Sequence, residues 1–185
     1  MNNSWLTKSL LALLVAAPLL SACKKDQDDE PTPDDDNEQI TTLRYELTPA
    51  GGGPTITATY KDADGDGGAA PVIGPLALAP NTTYTSKLVL LDETKTPVVV
   101  TSDEILAEAD EHIFFFESAP TGLVTVTRTD KDQNNLEVGL QSRLVTTAAA
   151  TGTLKITLRH QPGVKNGNYA PGDTDVEATF PVTVR

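Results

Sequence analysis

From residue 39 onward, apolar and polar side chains alternate along the chain with a period of two. Leu43, Tyr45 and Leu47 alternate with polar residues, and the same pattern recurs in four later stretches. Such alternation is typical of half-buried antiparallel strands. The positions predicted to face inward in those later stretches are Ile56, Ala58 and Tyr60; Tyr84, Ser86, Leu88 and Leu90; Leu154, Ile156, Leu158 and His160; and Val176, Ala178, Phe180, Val182 and Val184.

Short breaks rich in Gly, Pro and Asn separate these stretches. Six or more short strands divided in this way predict a single, mainly β domain over residues 39–185, an immunoglobulin-like antiparallel β-sandwich. Pro181 has no backbone N–H, so the last strand is predicted to be an edge strand or to carry a bulge.

Residues 101–112, TSDEILAEADEH, break the alternation. Thr101 and Glu104 have the spacing of a capping box, and acidic residues fill the first turn. Ile105, Leu106 and Ala109 form a narrow apolar stripe. The segment predicts one short helix that leads directly into the strand IFFFES.

The N-terminus has the pattern of a secretory signal. Residues 1–22 contain one basic residue, Lys8, no acidic residue, and an apolar run that is too short to span a bilayer. Residues 20–23, LSAC, resemble the bacterial lipobox, in which the cysteine is lipidated and becomes the mature N-terminus. The sequence therefore predicts a signal peptide over 1–22 and a lipid anchor on Cys23. The alternative is a buried free cysteine after an ordinary signal peptide.

Residues 23–38 follow the predicted anchor and include eight acidic residues between Asp26 and Glu38. No large apolar side chain is present between residues 24 and 38, so burial cannot offset the entropy of ordering this segment. We expect a disordered acidic tether that holds the domain away from the lipid. Early acidic residues also resemble the surface-export signal of Bacteroidota lipoproteins.

The chain carries 14 Lys and Arg against 26 Asp and Glu, a net charge of −12. Nucleic-acid binding needs clustered positive charge, so nucleic acid is excluded as an expected partner.

The expected location is the cell envelope, on the outer membrane through the lipid anchor, facing the periplasm or the cell surface.

Residues 62–68, DADGDGG, match the opening of a calcium-binding loop. Asp62, Asp64 and Asp66 have the spacing that lets alternate carboxylates converge on Ca²⁺. The twelfth position is Ile73 rather than an acid, so the segment is not an EF-hand. The alternative is an acidic, glycine-rich turn between strands. A weaker form of the spacing recurs at residues 129–135, where a hairpin turn is the natural interpretation.

The two histidines of the chain are candidate ligands for a transition metal. Glu108 lies four residues before His112, a spacing at which a carboxylate and an imidazole can chelate Zn²⁺. His160, at the end of a predicted strand, is a candidate third ligand. The alternative is that each histidine has a structural role only.

Motifs for catalysis are lacking. Lipidation consumes the only thiol, and the sequence has neither a G-x-S-x-G motif nor a phosphate-binding glycine loop. The sequence therefore predicts a protein that is not an enzyme.

Five stretches resemble a family of small Bacteroidota lipoproteins: residues 40–74, LLDET at 90–94, EADEHIFFFE at 108–117, TLKITLRHQPG at 153–163 and GDTDVEATFPVTV at 172–184. Members of that family are commonly labelled type 1 periplasmic binding fold superfamily proteins. The label implies two α/β lobes around a solute cleft, whereas the alternation in this chain predicts a β-sandwich. The resemblance places the candidate residues within family motifs and assigns them no role.

Together these observations predict a non-enzymatic, lipid-anchored binding protein of the cell envelope. Its expected ligand is a metal ion, Ca²⁺ or Zn²⁺, or a small solute, and an outer-membrane transporter or receptor is its expected partner. The alternative is a surface adhesion or scaffold module that recognises glycan or protein.

Overall fold

A computed structural model describes residues 37–65 and 68–185 of the chain. The predicted signal peptide, the lipidation site Cys23 and the tether up to residue 36 lie outside the described residues, as does Asp66.

The described residues contain ten strands and one helix. The helix, α1, spans Thr101–Ala107. The strands, in chain order, are β1 (Thr42–Pro49), β2 (Ile56–Lys61), β3 (Val72–Ile73), β4 (Leu76–Leu78), β5 (Thr83–Leu91), β6 (His112–Ala119), β7 (Val124–Arg128), β8 (Gln141–Thr146), β9 (Ala150–His160) and β10 (Asp173–Val184).

The strands form two sheets. One has six strands in the order β3-β2-β1-β5-β8-β7, and the other has four in the order β4-β10-β9-β6. The pairing of β10 with β4 is parallel, and the other strand pairs are antiparallel. The predicted mainly β sandwich with one short helix is therefore confirmed, with one parallel pair in an otherwise antiparallel arrangement.

The core lies between the two sheets and consists of the side chains that alternation predicted to face inward. Leu43, Tyr45 and Leu47 from one sheet and Leu158 and Phe180 from the other are each fully buried members of one apolar cluster. Burial of a side chain of this size stabilises the fold by about 1.5–3 kcal/mol.

The helix differs from its prediction at both ends. Val100 occupies the N-cap position and no side chain caps the helix, so the predicted capping box at Thr101 is wrong. Thr101 is instead buried, as is Ile105. The helix ends at Ala107, and Glu108 is its C-cap residue. Residues 109–111 then form a turn that leads into β6 at His112.

Strand β10 carries the irregularity that Pro181 suggested, at a different position. Its register against β9 shifts between Thr174 and Val176. Strand β4 pairs only with residues Val182–Val184 of β10. Among the described residues, the rest of β10 therefore has a strand neighbour on one side only.

Within the part of the chain that the structure describes, no helix combines the length and the apolar character needed to span a membrane.

Candidate metal site

Three strands of the four-stranded sheet bring imidazole and carboxylate groups to one end of the sheet. The antiparallel register pairs His112, the first residue of β6, with His160, the last residue of β9. His160 is in turn paired with Asp173, the first residue of β10. Two histidines that are 48 positions apart in sequence are therefore cross-strand neighbours.

The two imidazole rings are stacked. Their centroids are 4.6 Å apart and their planes differ by 7°. An ion binds imidazole in the plane of the ring, so an ion on His112 lies well out of the plane of the His160 ring. The predicted set of Glu108, His112 and His160 is thus brought close together, but the stacked rings do not point both histidines at one ion.

His112 is the most enclosed member of the group, with a side chain that is 0% exposed. Its Nδ1 lies 3.1 Å from the backbone carbonyl oxygen of Glu108. A carbonyl only accepts hydrogen bonds, so Nδ1 carries the proton of the neutral ring and Nε2 keeps a free lone pair. Burial lowers the pKa of His112 to about 4, against the raising effect of that hydrogen bond. The ring is therefore neutral at pH 7, in the form that binds metals.

Asp175 lies beside this lone pair. It falls at the register shift of β10, and its side chain is also 0% exposed. Its Oδ2 is 3.7 Å from Nε2 of His112. Burial raises the pKa of Asp175 to about 7, aided by the Glu38 and Asp173 carboxylates and opposed by His160 and Arg159. Neither carboxylate oxygen, nor Nε2 of His112, has a hydrogen-bond partner among the described residues.

Two further carboxylates approach His112 from the chain entering β1 and from the end of α1. The ligand atoms of Glu38, Glu108 and His112 all lie within 4.8 Å of one another. Burial raises the pKa of Glu38, and repulsion from Glu104 and Glu108 raises it further. Carboxylates that repel one another next to a neutral imidazole form a set of donors that a divalent cation stabilises.

His160 has a carboxylate partner of its own. Its Nε2 lies 3.4 Å from Oε2 of Glu111, whose side chain is 38% exposed. Glu111 also accepts a 2.6 Å backbone hydrogen bond from Gln161, which fixes the turn before β6 to the end of β9. The stacked rings are thus each flanked by an acid, Asp175 inside and Glu111 near the surface.

The carboxylates of Asp62 and Asp64 accept hydrogen bonds from residues 60–69, within a few positions of each acid. Asp62 accepts hydrogen bonds from the Gly65 amide at 3.0 Å and from the Tyr60 hydroxyl at 3.3 Å. Asp64 accepts one from the Ala69 amide at 2.9 Å. Bonds of this kind are what an acidic, glycine-containing turn uses. The third residue of the predicted calcium set, Asp66, lies outside the described residues.

The weaker acidic loop at residues 129–135 folds as the expected hairpin turn. Asp130 accepts hydrogen bonds from the backbone amides of Gly139 and Gln141, at 2.7 and 3.0 Å. Asp132 forms an ion pair of 2.7 Å with Lys165, and both side chains are almost fully buried. The counter-charge of Asp132 is thus the Lys165 ammonium.

The chain was compared with protein-family models, curated proteins and solved structures, and none of them matches it.

Sequence reasoning identified Glu108, His112 and His160 and missed Glu38, Glu111 as a partner of His160, and Asp175. Asp175 alternates with Val176 in the sequence, which places it on the outer face of a regular strand. Its inward position follows from the bulge, for which the sequence gives no clear signal. Glu38 was assigned to the tether by composition, although it is the last acid of that run.

Proposed function

We propose that the chain is a lipid-anchored, non-enzymatic protein of the cell envelope that binds a transition-metal ion for an outer-membrane partner. The main support is the group formed by Glu38, Glu108 and His112. The buried Nε2 of His112 also has no hydrogen-bond partner among the described residues. The anchor is supported by residues 20–23 and by the apolar run before them.

The donor chemistry favours zinc or a similar ion over calcium. Ca²⁺ takes six to eight oxygen ligands, whereas Zn²⁺ binds imidazole nitrogen together with carboxylate oxygen. His112 supplies one imidazole nitrogen to the group, and Glu38 and Glu108 each supply a carboxylate oxygen. The hydrogen bond from Nδ1 to the Glu108 carbonyl orients the ring, as the second nitrogen of a metal-binding histidine commonly does.

The metal is tested by calorimetric titration of the full-length protein, extracted from membranes in detergent, with Zn²⁺. We expect the unmodified protein to bind one ion per chain. We expect Glu108→Gln to reduce the affinity for zinc by about tenfold or more. Glu104→Gln is the matched control, because Glu104 is an exposed acid of α1 outside the group. No zinc binding by the unmodified protein, or equal losses in the two variants, contradicts the proposed site.

The anchor is tested separately by mass spectrometry and cell fractionation. We expect the mature protein to begin at a diacylglycerol-modified Cys23, and Cys23→Ser to move the protein from the membrane to the soluble fraction. One acyl chain binds a bilayer only marginally, so two or three chains are needed for this retention. An unmodified thiol in the mature protein would refute the anchor.

A surface adhesion module is the second candidate, and one feature of the other face of the sheet favours it. Phe115 and Tyr169 form an edge-to-face pair with centroids 5.1 Å apart, and Tyr169 is 41% exposed. Arg128 and Arg159 lie 5.1 and 5.0 Å from the two ring centroids. Aromatic rings next to hydrogen-bond donors suit glycan recognition. Loss of cell-surface glycan binding in Tyr169→Ala would support this function, and it would replace the first if the unmodified protein bound no zinc.

A further inference from the structure

The pair formed by His112 and Asp175 is incomplete as it stands. Both side chains are fully buried, and three of their polar atoms, Nε2 and the two Asp175 oxygens, have no hydrogen-bond partner among the described residues. Buried polar groups are nearly always paired, so each exception needs a physical explanation.

A direct hydrogen bond does not explain the pair. The separation of 3.7 Å between Nε2 and Oδ2 is longer than a hydrogen bond. The proton of the neutral ring is on Nδ1, where the Glu108 carbonyl accepts it at 3.1 Å. Nε2 therefore presents a lone pair to Oδ2 at a distance that a direct hydrogen bond does not span, and a cation between the two atoms would satisfy both.

The separation fits a shared metal ion. Zn²⁺ lies about 2.0–2.1 Å from imidazole nitrogen and about 2.0–2.2 Å from carboxylate oxygen. At a tetrahedral angle the two donor atoms are then about 3.3–3.5 Å apart, so the observed 3.7 Å requires an adjustment of only a few tenths of an ångström.

We propose that Asp175 is the buried ligand of the metal site and binds the same ion as Nε2 of His112. This inference rests on the proposed function and adds the residue that closes the site on its inner side. Glu38 and Glu108, which are half-buried and exposed, then form the entrance through which the ion arrives. The ion is a divalent transition metal such as Zn²⁺, because Ca²⁺ does not favour an imidazole ligand.

Hydrogen bonds of Arg159 and close packing at Gly172 fix the turn that precedes Asp175. Arg159 donates hydrogen bonds to the Thr174 hydroxyl at 2.5 Å and to the backbone carbonyls of Pro171 and Gly172. Gly172 has φ +73°, and a Cβ atom there would overlap the backbone carbonyl of His160. The turn into β10 is thus fixed against the end of β9, which sets the bulge that delivers Asp175.

Asp175→Asn and Asp173→Asn test the proposal in the full-length protein. Asp173 is an exposed acid two residues earlier on the same strand, so its variant removes one charge near the site and no ligand. We expect Asp175→Asn to weaken Zn²⁺ binding by about tenfold or more and Asp173→Asn to change it by about threefold or less. Titration with Ca²⁺ should give no competition for the zinc.

A measurement on the unmodified protein covers the case in which Asp175→Asn does not fold. Zinc should shift the ¹³C resonance of the Asp175 side-chain carboxylate and the ¹⁵N resonance of His112 Nε2 together. Zinc binding with an unchanged Asp175 resonance, or equal affinity for Asp175→Asn and the unmodified protein, would overturn this inference and leave the proposed function standing. No zinc binding by the unmodified protein would overturn both.

Discussion

The protein buries two titratable pairs that differ in how completely their polar atoms are hydrogen-bonded: Lys165 with Asp132, and His112 with Asp175. The side chains of both pairs are at most 2% exposed. In the first pair the ammonium nitrogen and the carboxylate oxygen are 2.7 Å apart, whereas in the second Nε2 and Oδ2 are 3.7 Å apart. Burial is therefore the same in the two regions, and the number of satisfied donors and acceptors differs.

Asp132 has all the partners that a buried carboxylate needs. It accepts hydrogen bonds from Lys165 and from the backbone amides of Asn134 and Leu136. Burial acts to raise the pKa of Asp132, but these partners outweigh it and lower the pKa. Within the described part of the chain Asp175 has no such partners, and its pKa is raised to about 7. The comparison supports a structural role for the first pair and the proposed ligand role for Asp175.

The largest expected effect comes from the completed pair. Lys165→Met should lower the free energy of unfolding by about 3–5 kcal/mol, because it leaves the Asp132 carboxylate buried without its counter-charge. It also removes the hydrogen bond of Lys165 to the Ala109 carbonyl. Urea denaturation measures the loss.

Lys155→Met is the control for that change. Lys155 pairs with Glu117 and Glu177, but its side chain is 30% exposed, so its variant should lose about 1 kcal/mol or less. Equal losses in the two lysine variants would contradict the structural role of the buried pair.

The second prediction concerns pH and the metal-free protein. The pKa of Asp175 is raised to about 7, so its favourable contribution is present below its unfolded pKa and is lost as pH rises towards 7. The pKa of His112 is lowered to about 4, so its contribution is present above about 6.5 and is lost as pH falls towards 4. The two contributions oppose each other between pH 4 and 6.5.

Asp175→Asn should therefore expose the His112 contribution alone. The variant should lose about 3 kcal/mol of stability on acidification from pH 6.5 to 4, since one unit of pKa corresponds to about 1.36 kcal/mol, whereas in the unmodified protein the Asp175 contribution offsets most of that loss. The other charged groups around the pair are common to both proteins: His160, Glu111, Lys165, Glu38, Arg159 and Asp173. Parallel stability curves for the two proteins, measured with a chelator, would contradict the interpretation.

The third and smallest prediction concerns zinc itself. Zinc at about 100 times its dissociation constant should stabilise the unmodified protein by about 2.7 kcal/mol, because it binds the folded chain. At that zinc concentration the gain should fall to about 1.4 kcal/mol or less in Asp175→Asn, whose affinity is about tenfold lower or more, and should persist in Lys155→Met. Thermal unfolding with and without zinc measures it, and an equal gain in Asp175→Asn would argue against a ligand at that position.

Alternation in the sequence was sufficient to predict the sandwich, because side chains on a regular strand must point alternately to opposite faces. Leu154, Ile156, Leu158 and His160 are all buried as that rule requires. The position of the helix was predicted correctly, but its predicted N-terminal capping box does not form because tertiary packing takes precedence. Thr101 is buried in the sandwich instead of capping the helix.

The site was only partly predictable. The i, i+4 spacing identified Glu108 with His112, and the strand pattern placed His160 at the rim. Which strands are neighbours, and in what register, depends on contacts between distant segments, so the stacking of His112 on His160 could not be read from the sequence. The same holds for Asp175, whose position depends on a one-residue irregularity in β10.

Anomalous diffraction at the zinc absorption edge, from crystals grown with zinc, shows whether His112 and Asp175 share one ion. We expect one peak within about 2.0–2.2 Å of both Nε2 of His112 and a carboxylate oxygen of Asp175. A peak confined to the surface acids, or no peak at His112, would contradict it.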